Sequence, residues 1–319
     1  GSGHLTLDAA IQSPVGGLTA TGGNFTATSN GTIDYAAASA VDLDFSRDVE
    51  INAAIATGGG DLRIVANVRE RDRIQLRIPI GDSIVTSGGN VNLVSNGGTL
   101  HVRSPVVTGG GDFHGSGKWV TLITPQTVGL RTSGGDVTLN ATDDGSRGSY
   151  SIFIEDDILT GGGILTGSGY LLGLDTLTLD TGGGGNGGAI NLNAHVEING
   201  KTRVKTGVSN ESITFGKSVR QSTSTFSQPA ELLLQAGTGA IIFKEPVGGP
   251  TPLHSVFIED AATVTAENLF RAGRLAIQAS GNLNFTDSGN DFNKLALDLT
   301  GNNSASIVDQ DALEIASIT

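Results

Sequence analysis

The chain has 319 residues, including 48 Gly and no Cys or Met, and its formal net charge is −13. The lack of Cys excludes disulfides, Cys-based zinc sites and thiol catalysis. The acidic balance argues against a nucleic-acid partner, because such binding depends on clustered Lys and Arg. Gly is about twice as frequent as usual, which favours short strands joined by tight turns over a globular α/β enzyme.

A short phrase recurs along the chain: Thr, one or two small residues, Gly, and then a run in which apolar and polar residues alternate. Its copies begin at Thr21, Thr57, Thr86, Thr108, Thr132, Thr160 and, more loosely, Thr181. Recurrence at a period of roughly 20–50 residues is typical of a solenoid. We therefore predict an all-β, single-stranded parallel β-helix (a β-solenoid) with three faces and roughly 10–15 coils.

After each phrase the side chains alternate with a period of two, as in a strand with one buried surface. The residues expected to point inward are Leu62, Ile64, Val91, Leu93, Val137, Leu139, Ile190 and Leu192. Those expected to point outward are Arg63, Asn92, Thr138 and Asn191.

The Gly residues of the phrase are predicted to form the corners between faces, because Gly adopts positive φ without a Cβ penalty. The Asp or Asn that follows can accept hydrogen bonds from neighbouring backbone N–H groups. We therefore assign a structural turn role to Gly59, Asp61, Gly89, Asn90, Gly111, Asp112, Gly135 and Asp136.

The phrase changes from about residue 200, but strand-like runs continue, such as 213–215 and 241–243. We predict one continuous β-solenoid over residues 1–319 with a change of repeat subtype near residue 200. We predict a very low helix content, and Ala261–Arg274 is the only stretch that could hold a helical turn. Leu313–Thr319 reads as a strand instead of a polar cap, so we expect the chain to be a fragment of a longer protein.

Three segments, TSGGNVNLVS (86–95), TSGGDVTLNA (132–141) and GAIIFKEPVGGPTPLHSV (239–256), resemble filamentous-haemagglutinin-type repeats. Such repeats occur in large bacterial exoproteins, including two-partner-secretion adhesins, and the resemblance covers nearly the whole chain as a style of repeat. It implies a right-handed parallel β-helix that is extracellular or displayed on the bacterial cell surface. It also implies adhesion to host cells, neighbouring cells or surfaces, a biofilm matrix or a passive stalk.

Positive charge is concentrated in one segment of this acidic chain, at Arg69, Arg71, Arg73 and Arg77. The first three alternate, so on a strand they would share one face. Because guanidinium groups bind carboxylate and sulfate in a bidentate manner, we predict binding of an anionic surface glycan. The alternative is an inserted loop or hairpin whose charges pair with each other and with solvent.

Acidic residues cluster at Glu155, Asp156 and Asp157, which are weak candidates for Ca²⁺ ligands. Ca²⁺ needs six to eight oxygen ligands, and the Ca²⁺-binding nonapeptide repeat is absent from the sequence. The five His residues show no metal-ligand spacing and no nucleophile–base pattern. We therefore expect no cofactor, with Ca²⁺ possible but not supported by a repeat motif.

These features favour a non-catalytic structural or adhesive section of a large bacterial adhesin, with glycans, cells or a second copy of itself as partners. One alternative is a polysaccharide-active β-helix lyase or hydrolase, although 1 Trp and 3 Tyr offer few rings to grip sugars. Another is a self-assembling matrix or filament protein. No apolar run is long enough for a transmembrane helix.

Overall fold

The computed structural model describes residues 3–67, 73–76, 83–123, 129–145, 149–183, 186–208, 210–223, 228–300, 303–311 and 313–315. Over these residues the protein is all-β, without a helix, and its parallel strands stack as a β-solenoid of about 12 turns. The predicted fold class and number of coils are confirmed. The chain divides into two compact units, Gly1–Gly163 and Ile164–Thr319.

The first unit consists mostly of short strands, and the chain turns a corner between one strand and the next. They are β1 (His4–Leu7), β2 (Ile11–Ser13), β3 (Leu18–Gly22), β4 (Asn24–Ala27), β5 (Ile33–Tyr35), β6 (Val41–Phe45), β7 (Val49–Ile51), β8 (Ile55–Ala56), β9 (Leu62–Asn67), β10 (Arg73–Leu76), β11 (Ile84–Val85), β12 (Val91–Val102), β13 (Val106–Val107), β14 (Phe113–Leu122), β15 (Leu130–Arg131), β16 (Val137–Ala141), β17 (Ile152–Ile154) and β18 (Ile158–Leu159).

These strands pair in parallel to form three faces. The first face contains β3, β6, β9, the first halves of β12 and β14, and β16. The second contains β1, β4, β7, β10, the second halves of β12 and β14, and β17. The third contains β2, β5, β8, β11, β13, β15 and β18.

The predicted alternation of side chains is confirmed. All eight residues expected to point inward are at most 1% exposed, and the four expected to point outward are half-buried. The core is therefore a narrow column of aliphatic side chains that each coil shares with its neighbours.

The second unit repeats this organisation with its own strands. They are β19 (Leu165–Asp175), β20 (Thr178–Asp180), β21 (Gly182–Gly183), β22 (Asn186–Gly187), β23 (Ile190–Asn199), β24 (Lys201–Lys205), β25 (Ile213–Phe215), β26 (Val219–Gln221), β27 (Glu231–Gln235), β28 (Ala240–Phe243), β29 (Leu253–Asp260), β30 (Thr263–Ala266), β31 (Arg271–Ala279), β32 (Leu283–Phe285), β33 (Asp291–Leu299), β34 (Ala305–Ile307) and β35 (Glu314–Ile315). The strands pair in parallel, apart from the antiparallel pair β21–β22.

Phenylalanine rings stack through the core of the second unit. Phe215 and Phe243 lie in register on adjacent strands, with ring centroids 5.0 Å apart and planes 6° from parallel. Phe270 meets Phe243 edge-on at 5.2 Å, and Phe285 meets Phe270 in the same way at 5.2 Å. The rings are at most 1% exposed, so this unit has an aromatic core where the first is mainly aliphatic.

The predicted low helix content is confirmed for the described residues, and Ala261–Arg274, the only stretch that could hold a helical turn, does not contain one. Thr263–Ala266 forms β30, and the next strand begins at Arg271. Val264 and Ala266 are buried and alternate with Thr side chains, which is the period of a strand. Pairing with β28 outweighs the helix propensity of the segment that follows.

The first copy of the repeated phrase lies at a different corner from the other copies, the turn from the first face to the second between β3 and β4. Thr21 is exposed within β3 and lies in register with Asp44. The corner that the later copies form comes after β5 in this part of the chain. Asp34 of β5 pairs with Ala56 of β8, so the next residue, the buried Tyr35, occupies the position that Thr57 has one coil later. Thr21 shares the letters of the phrase but not its position in the coil.

Candidate functional site

Five of the other Thr residues of the phrase, all in the first unit, form a buried column at the corner between the third and first faces. Thr57, Thr86, Thr108, Thr132 and Thr160 are 0% exposed. Each hydroxyl donates to the carbonyl oxygen three residues later. The first four also lie 3.1–3.3 Å from the carbonyl oxygen of the Thr in the next coil. The hydroxyls therefore close each corner and face the next one.

The small residues after each Thr have two roles: some adopt positive φ, and others allow the backbones of neighbouring coils to approach closely. Ser87 and Gly88 have φ values of 54° and 114°, and the second of these favours Gly because a Cβ is disfavoured there. Gly89 does not have positive φ; a Cβ built on it would lie 2.1 Å from the carbonyl oxygen of Gly60 in the preceding coil. Gly111 and Gly135 make the same close approach, so contact between backbones requires Gly there.

The Asp and Asn residues of the phrase form a second column on the outside of the same corners. The side-chain oxygen of Asp61 accepts a hydrogen bond from Asn90 N at 2.8 Å. Asn90 accepts one from Asp112 N, and Asp112 accepts one from Asp136 N, both at 2.8 Å. Each side chain thus binds the backbone of the following coil, which is a structural role.

Of the four Arg residues predicted to bind an anionic glycan, Arg69, Arg71 and Arg77 lie outside the described residues. Arg73 begins β10, and its backbone is in register with Thr99 of β12. The glycan hypothesis for this segment stays a prediction. Of this segment, only Arg73–Leu76 can be placed, on the second face to which β10 belongs.

Arg63, on the first face, is engaged within the protein. Its Nη1 donates to Asp42 Oδ1 at 2.6 Å and its Nη2 to Asp44 Oδ2 at 3.3 Å. These contacts raise the pKa of Arg63, chiefly through the hydrogen bond to Asp42. Asn67 Nδ2 also donates to Asp44, at 2.8 Å. Because the pairs are partly exposed, we expect them to contribute little to stability.

The three acidic residues proposed as weak Ca²⁺ candidates follow β17 and do not converge. Glu155 is exposed, Asp156 is 5% exposed, and Asp157 is half-buried. The alternation along the chain turns the buried Asp156 inward, away from Glu155 and Asp157. Over the described ranges, no group of three or more His, Asp and Glu side chains is arranged to hold a metal ion.

Aromatic side chains on the outside of the first unit gather in two adjacent coils. Among the described residues, eight Phe side chains are buried in the core, whereas Trp119, Tyr150 and Phe153 are half-buried on the surface. The rings of Tyr150 and Phe153 stack with centroids 5.0 Å apart and planes 22° from parallel. The ammonium group of Lys118 lies 4.7 Å from the Trp119 ring. We call these four residues the aromatic patch.

The register of the second face places the aromatic patch among polar side chains. One row across the strands contains Arg73, Thr99 and Trp119. The next row contains His101, Thr121 and Phe153. Sequence reasoning missed the patch, because Trp119 and Phe153 are 34 positions apart and only the pairing of β14 with β17 brings them together.

The second unit holds a contact between a Ser and a His that the sequence did not indicate. His195 Nδ1 lies 2.8 Å from Ser218 Oγ, and the exposed Tyr170 meets the His195 ring edge-on at 5.5 Å. Glu197, two residues further on, pairs with Arg220 at 3.4 Å. The pair therefore has a hydroxyl and an imidazole in contact, while the neighbouring carboxylate is directed to a guanidinium group.

Comparison with known proteins gave no match to a protein-family model, a curated protein or a solved structure. The resemblance to filamentous-haemagglutinin-type repeats therefore rests on the three sequence segments alone. In the part of the chain that the structure describes, no helix has the length and apolar character needed to cross a membrane.

Proposed function

We propose that this protein is a non-catalytic, extracellular structural and adhesive section of a large bacterial surface protein. The observation that carries the proposal is the way its polar residues are used at the corners. Buried Thr side chains and exposed Asp or Asn side chains both form hydrogen bonds to the backbone of the next coil. In a solenoid, stability is the sum of the repeats and of the interfaces between neighbours. Corners reinforced in this way suit a scaffold that resists unravelling.

The adhesive part of the proposal is supported by the aromatic patch. Aromatic side chains dominate the energy of many binding surfaces, since they bury a large area at little entropic cost. Rigid sheet faces hold such side chains in fixed relative positions. A scaffold that presents rings on its outside fits a role in contact with a surface.

The proposal is tested by coupling the protein to beads and counting those retained on epithelial and bacterial cell layers under flow. We expect more retention than for beads that carry an unrelated protein of similar net charge. Sedimentation at several concentrations identifies self-association, which would link beads to each other instead of to cells. Retention equal to the control on every cell layer would refute the adhesive role.

A hydrolytic role is the second candidate, and the contact between His195 and Ser218 favours it. A His can activate a Ser nucleophile when a third group orients the imidazole. Because a Ser–His pair acts on acyl groups and glycosidic bonds are cleaved by paired carboxylates, the informative assay is release of acetate from acetylated polysaccharides, measured for the wild-type protein and for Ser218→Ala. Turnover that Ser218→Ala abolishes would establish it and displace the non-catalytic proposal.

A further inference from the structure

We propose that Arg271 and Arg274, which we call the arginine pair, bind the sulfate or carboxylate groups of an acidic polysaccharide. Both residues lie on β31, and neither belongs to the aromatic patch. The inference goes beyond the proposed function, since it names a ligand and a surface on which that proposal does not depend. Three observations carry it: the guanidinium groups are unpaired among the described residues, Arg274 is held by packing, and the surrounding charges favour an anion.

The arginine pair differs from the other cationic residues of the second unit. The unit has nine Lys and Arg residues, and five of them form ion pairs: Arg203, Lys205, Lys217, Arg220 and Lys294. Lys201 and Lys244 are exposed, whereas Arg271 and Arg274 are half-buried. Every Asp and Glu of the unit lies among the described residues, yet none of them forms an ion pair with the arginine pair.

The surrounding protein does not satisfy these guanidinium groups in another way. The Nε atoms of Arg271 and Arg274 are buried and have no hydrogen-bond partner among the described residues. Ser255, in register with Arg274 on β29, has a hydroxyl that is also buried and unpartnered. Covering polar groups without a partner costs free energy. Because the two Arg side chains are only half-buried, their Nη groups remain for an acceptor that comes from outside.

Packing holds Arg274 in place. Its guanidinium carbon lies 5.2 Å from the centre of the Phe257 ring, and Phe257 alternates with the buried Val256 and Ile258 on the outer side of β29. A guanidinium group stacks well on an aromatic face, and a side chain that is already held loses less freedom when a ligand binds. The contact with a ring is not peculiar to this site, but the lack of a carboxylate partner for the stacked guanidinium group is what distinguishes it.

The neighbours of Arg274 across the strands favour an anion. Arg274 lies in register between Ser255 on β29 and Lys294 on β33, so neither neighbour is acidic. Like charges directly opposite each other destabilise a sheet, and the pairing of Lys294 with Glu314 offsets only one of the two. An anion bound at Arg274 would reduce the repulsion that remains.

Asp291 is the acidic residue that lies in register with the arginine pair, opposite Arg271. It forms no ion pair with Arg271; desolvation, together with the charges of Asp291 and Asp309, instead raises the pKa of Asp311. The carboxylate of Asp291 therefore weakens the positive potential near Arg271 without occupying its N–H groups. We expect Arg274 to contribute more to anion binding than Arg271.

The class of ligand follows from the shape of the groups and their spacing. The planar fork of a guanidinium group matches two oxygens of an oxyanion. Arg271 and Arg274 are three positions apart on one strand, or about 10 Å, so a polymer with repeated anionic groups engages both better than a single ion does. The row of Leu233, Phe257 and Ala276 beside Arg274 offers apolar surface to the C–H faces of sugars, and a net charge of −13 disfavours a nucleic acid.

The test compares the binding of dextran sulfate, polygalacturonate and neutral dextran to the intact protein by affinity electrophoresis. We expect the protein to be retarded by an anionic polymer and not by dextran, and retardation to weaken as salt is raised. Dextran sulfate and dextran share one backbone, so their difference reports on the sulfate groups alone. The anionic polymer that binds more tightly identifies the group that the site prefers.

Substitutions separate the arginine pair from general attraction to a polyanion. Arg274→Gln should weaken affinity about tenfold, and Arg271→Gln should weaken it by less. Arg274→Lys keeps the charge but loses the fork, so it should also weaken binding. The matched control is Lys244→Gln, which removes the same charge from an exposed residue of the same unit and should stay within about twofold of wild type.

The proposal would be overturned if neither anionic polymer bound, if dextran bound equally, or if Lys244→Gln lost as much affinity as Arg274→Gln. Wild-type affinity in Arg274→Lys would equally exclude a guanidinium site. Thermal melting checks that each variant is folded. Coated beads that adhere to cells although the protein binds no polyanion would leave the proposed function standing without this site. Polyanion binding by the arginine pair without adhesion of beads would give the reverse result.

Discussion

Asp112 accepts a hydrogen bond from the backbone N–H of Asp136 at 2.8 Å, and the two residues belong to successive coils. Both are exposed, so a view of the surface alone would take their carboxylates for solvated groups or metal ligands. Their geometry shows that they hold the coils together. The acid–amide–acid order of Asp61, Asn90 and Asp112 also keeps two like charges from lying side by side in that part of the column.

Replacement of Asn90 tests this column. Asn90→Ala removes the acceptor for Asp112 N and should cost about 1 kcal/mol in the free energy of unfolding. Asn90→Asp keeps an acceptor but places a third carboxylate between two others. We expect Asn90→Asp to lower stability in low salt and to recover in high salt, as measured by urea unfolding at two ionic strengths. Equal losses for Asn90→Asp at both would show that charge repulsion is absent.

Two Gly residues of one corner, Gly109 and Gly111, should differ in how much a substitution by Ser lowers the stability of the protein. Gly109 has a φ of 68°, and the equivalent positions in neighbouring coils are Ser87 and Ser133. A Cβ at Gly109 would lie 3.2 Å from Ser87 Cα, a contact that a small shift relieves, so Gly109→Ser should cost about 1 kcal/mol. Gly111→Ser would drive a Cβ to 2.2 Å from the carbonyl oxygen of Gly89. We expect it to cost roughly 3 kcal/mol or more, and thermal melting of both variants checks the contrast.

The buried Thr column is tested by two substitutions in copies of the same phrase. Thr86→Val keeps the shape of the side chain but removes the hydroxyl that donates to Gly89 O. It should cost about 1–2 kcal/mol, because a buried carbonyl group loses a partner. Thr21→Val, at an exposed position within a strand, should stay within about 0.5 kcal/mol of wild type. Urea unfolding that gave equal effects would mean that the two copies are equivalent after all.

Much of the fold could be predicted from the sequence, because the coil imposes two local patterns that a linear reading detects. Alternation identified the inward residues, such as Leu62 and Val91, and the corner phrase located the turns. The same reading failed at Thr21, since letters alone do not record the register that places Thr21 opposite Asp44. Near Val264 it left a helical turn open, and pairing between coils decides the conformation there.

The candidate sites were much less predictable. Contacts between coils join residues that are far apart in the sequence, and the intervals vary from coil to coil. His195 and Ser218 are separated by 23 positions, and no single-element motif connects them. The aromatic patch depends in the same way on the pairing of Thr121 with Phe153. A sequence shows which residue types are present, but the length of each coil determines which of them meet.

The aromatic core of the second unit should be sensitive to truncation. Phe243 packs against Phe215 and Phe270 and is 1% exposed. We expect Phe243→Ala to cost about 3–5 kcal/mol because it leaves a cavity. Phe243→Leu should cost less, since it retains more of the buried volume. Chemical denaturation of the two variants measures the difference, and a cost below about 1 kcal/mol for the Ala variant would contradict a continuous ring stack.

Asp311 provides a prediction about pH. Desolvation, together with the charges of Asp291 and Asp309, raises the pKa of Asp311 above its ordinary value of 3.8. Because the folded protein binds this proton more tightly than the unfolded chain does, stability from this group is lost as pH rises above 3.8 through the folded pKa. Asp311→Asn should therefore be slightly more stable than wild type at pH 7 and show no such gain below pH 3.8, as measured by urea unfolding. A gain of equal size at both pH values would exclude titration of Asp311 as its cause.

The buried Thr column also bears on how such a chain can lengthen. Successive Thr residues are 29, 22, 24 and 28 positions apart, yet every corner offers the same donor and the same acceptor to its neighbours. A copied coil would therefore find compatible partners above and below, whatever the length of its outer loops. Gene duplication can in this way add or remove whole coils without disturbing those that remain, so that the number of coils changes more readily than the form of any one of them.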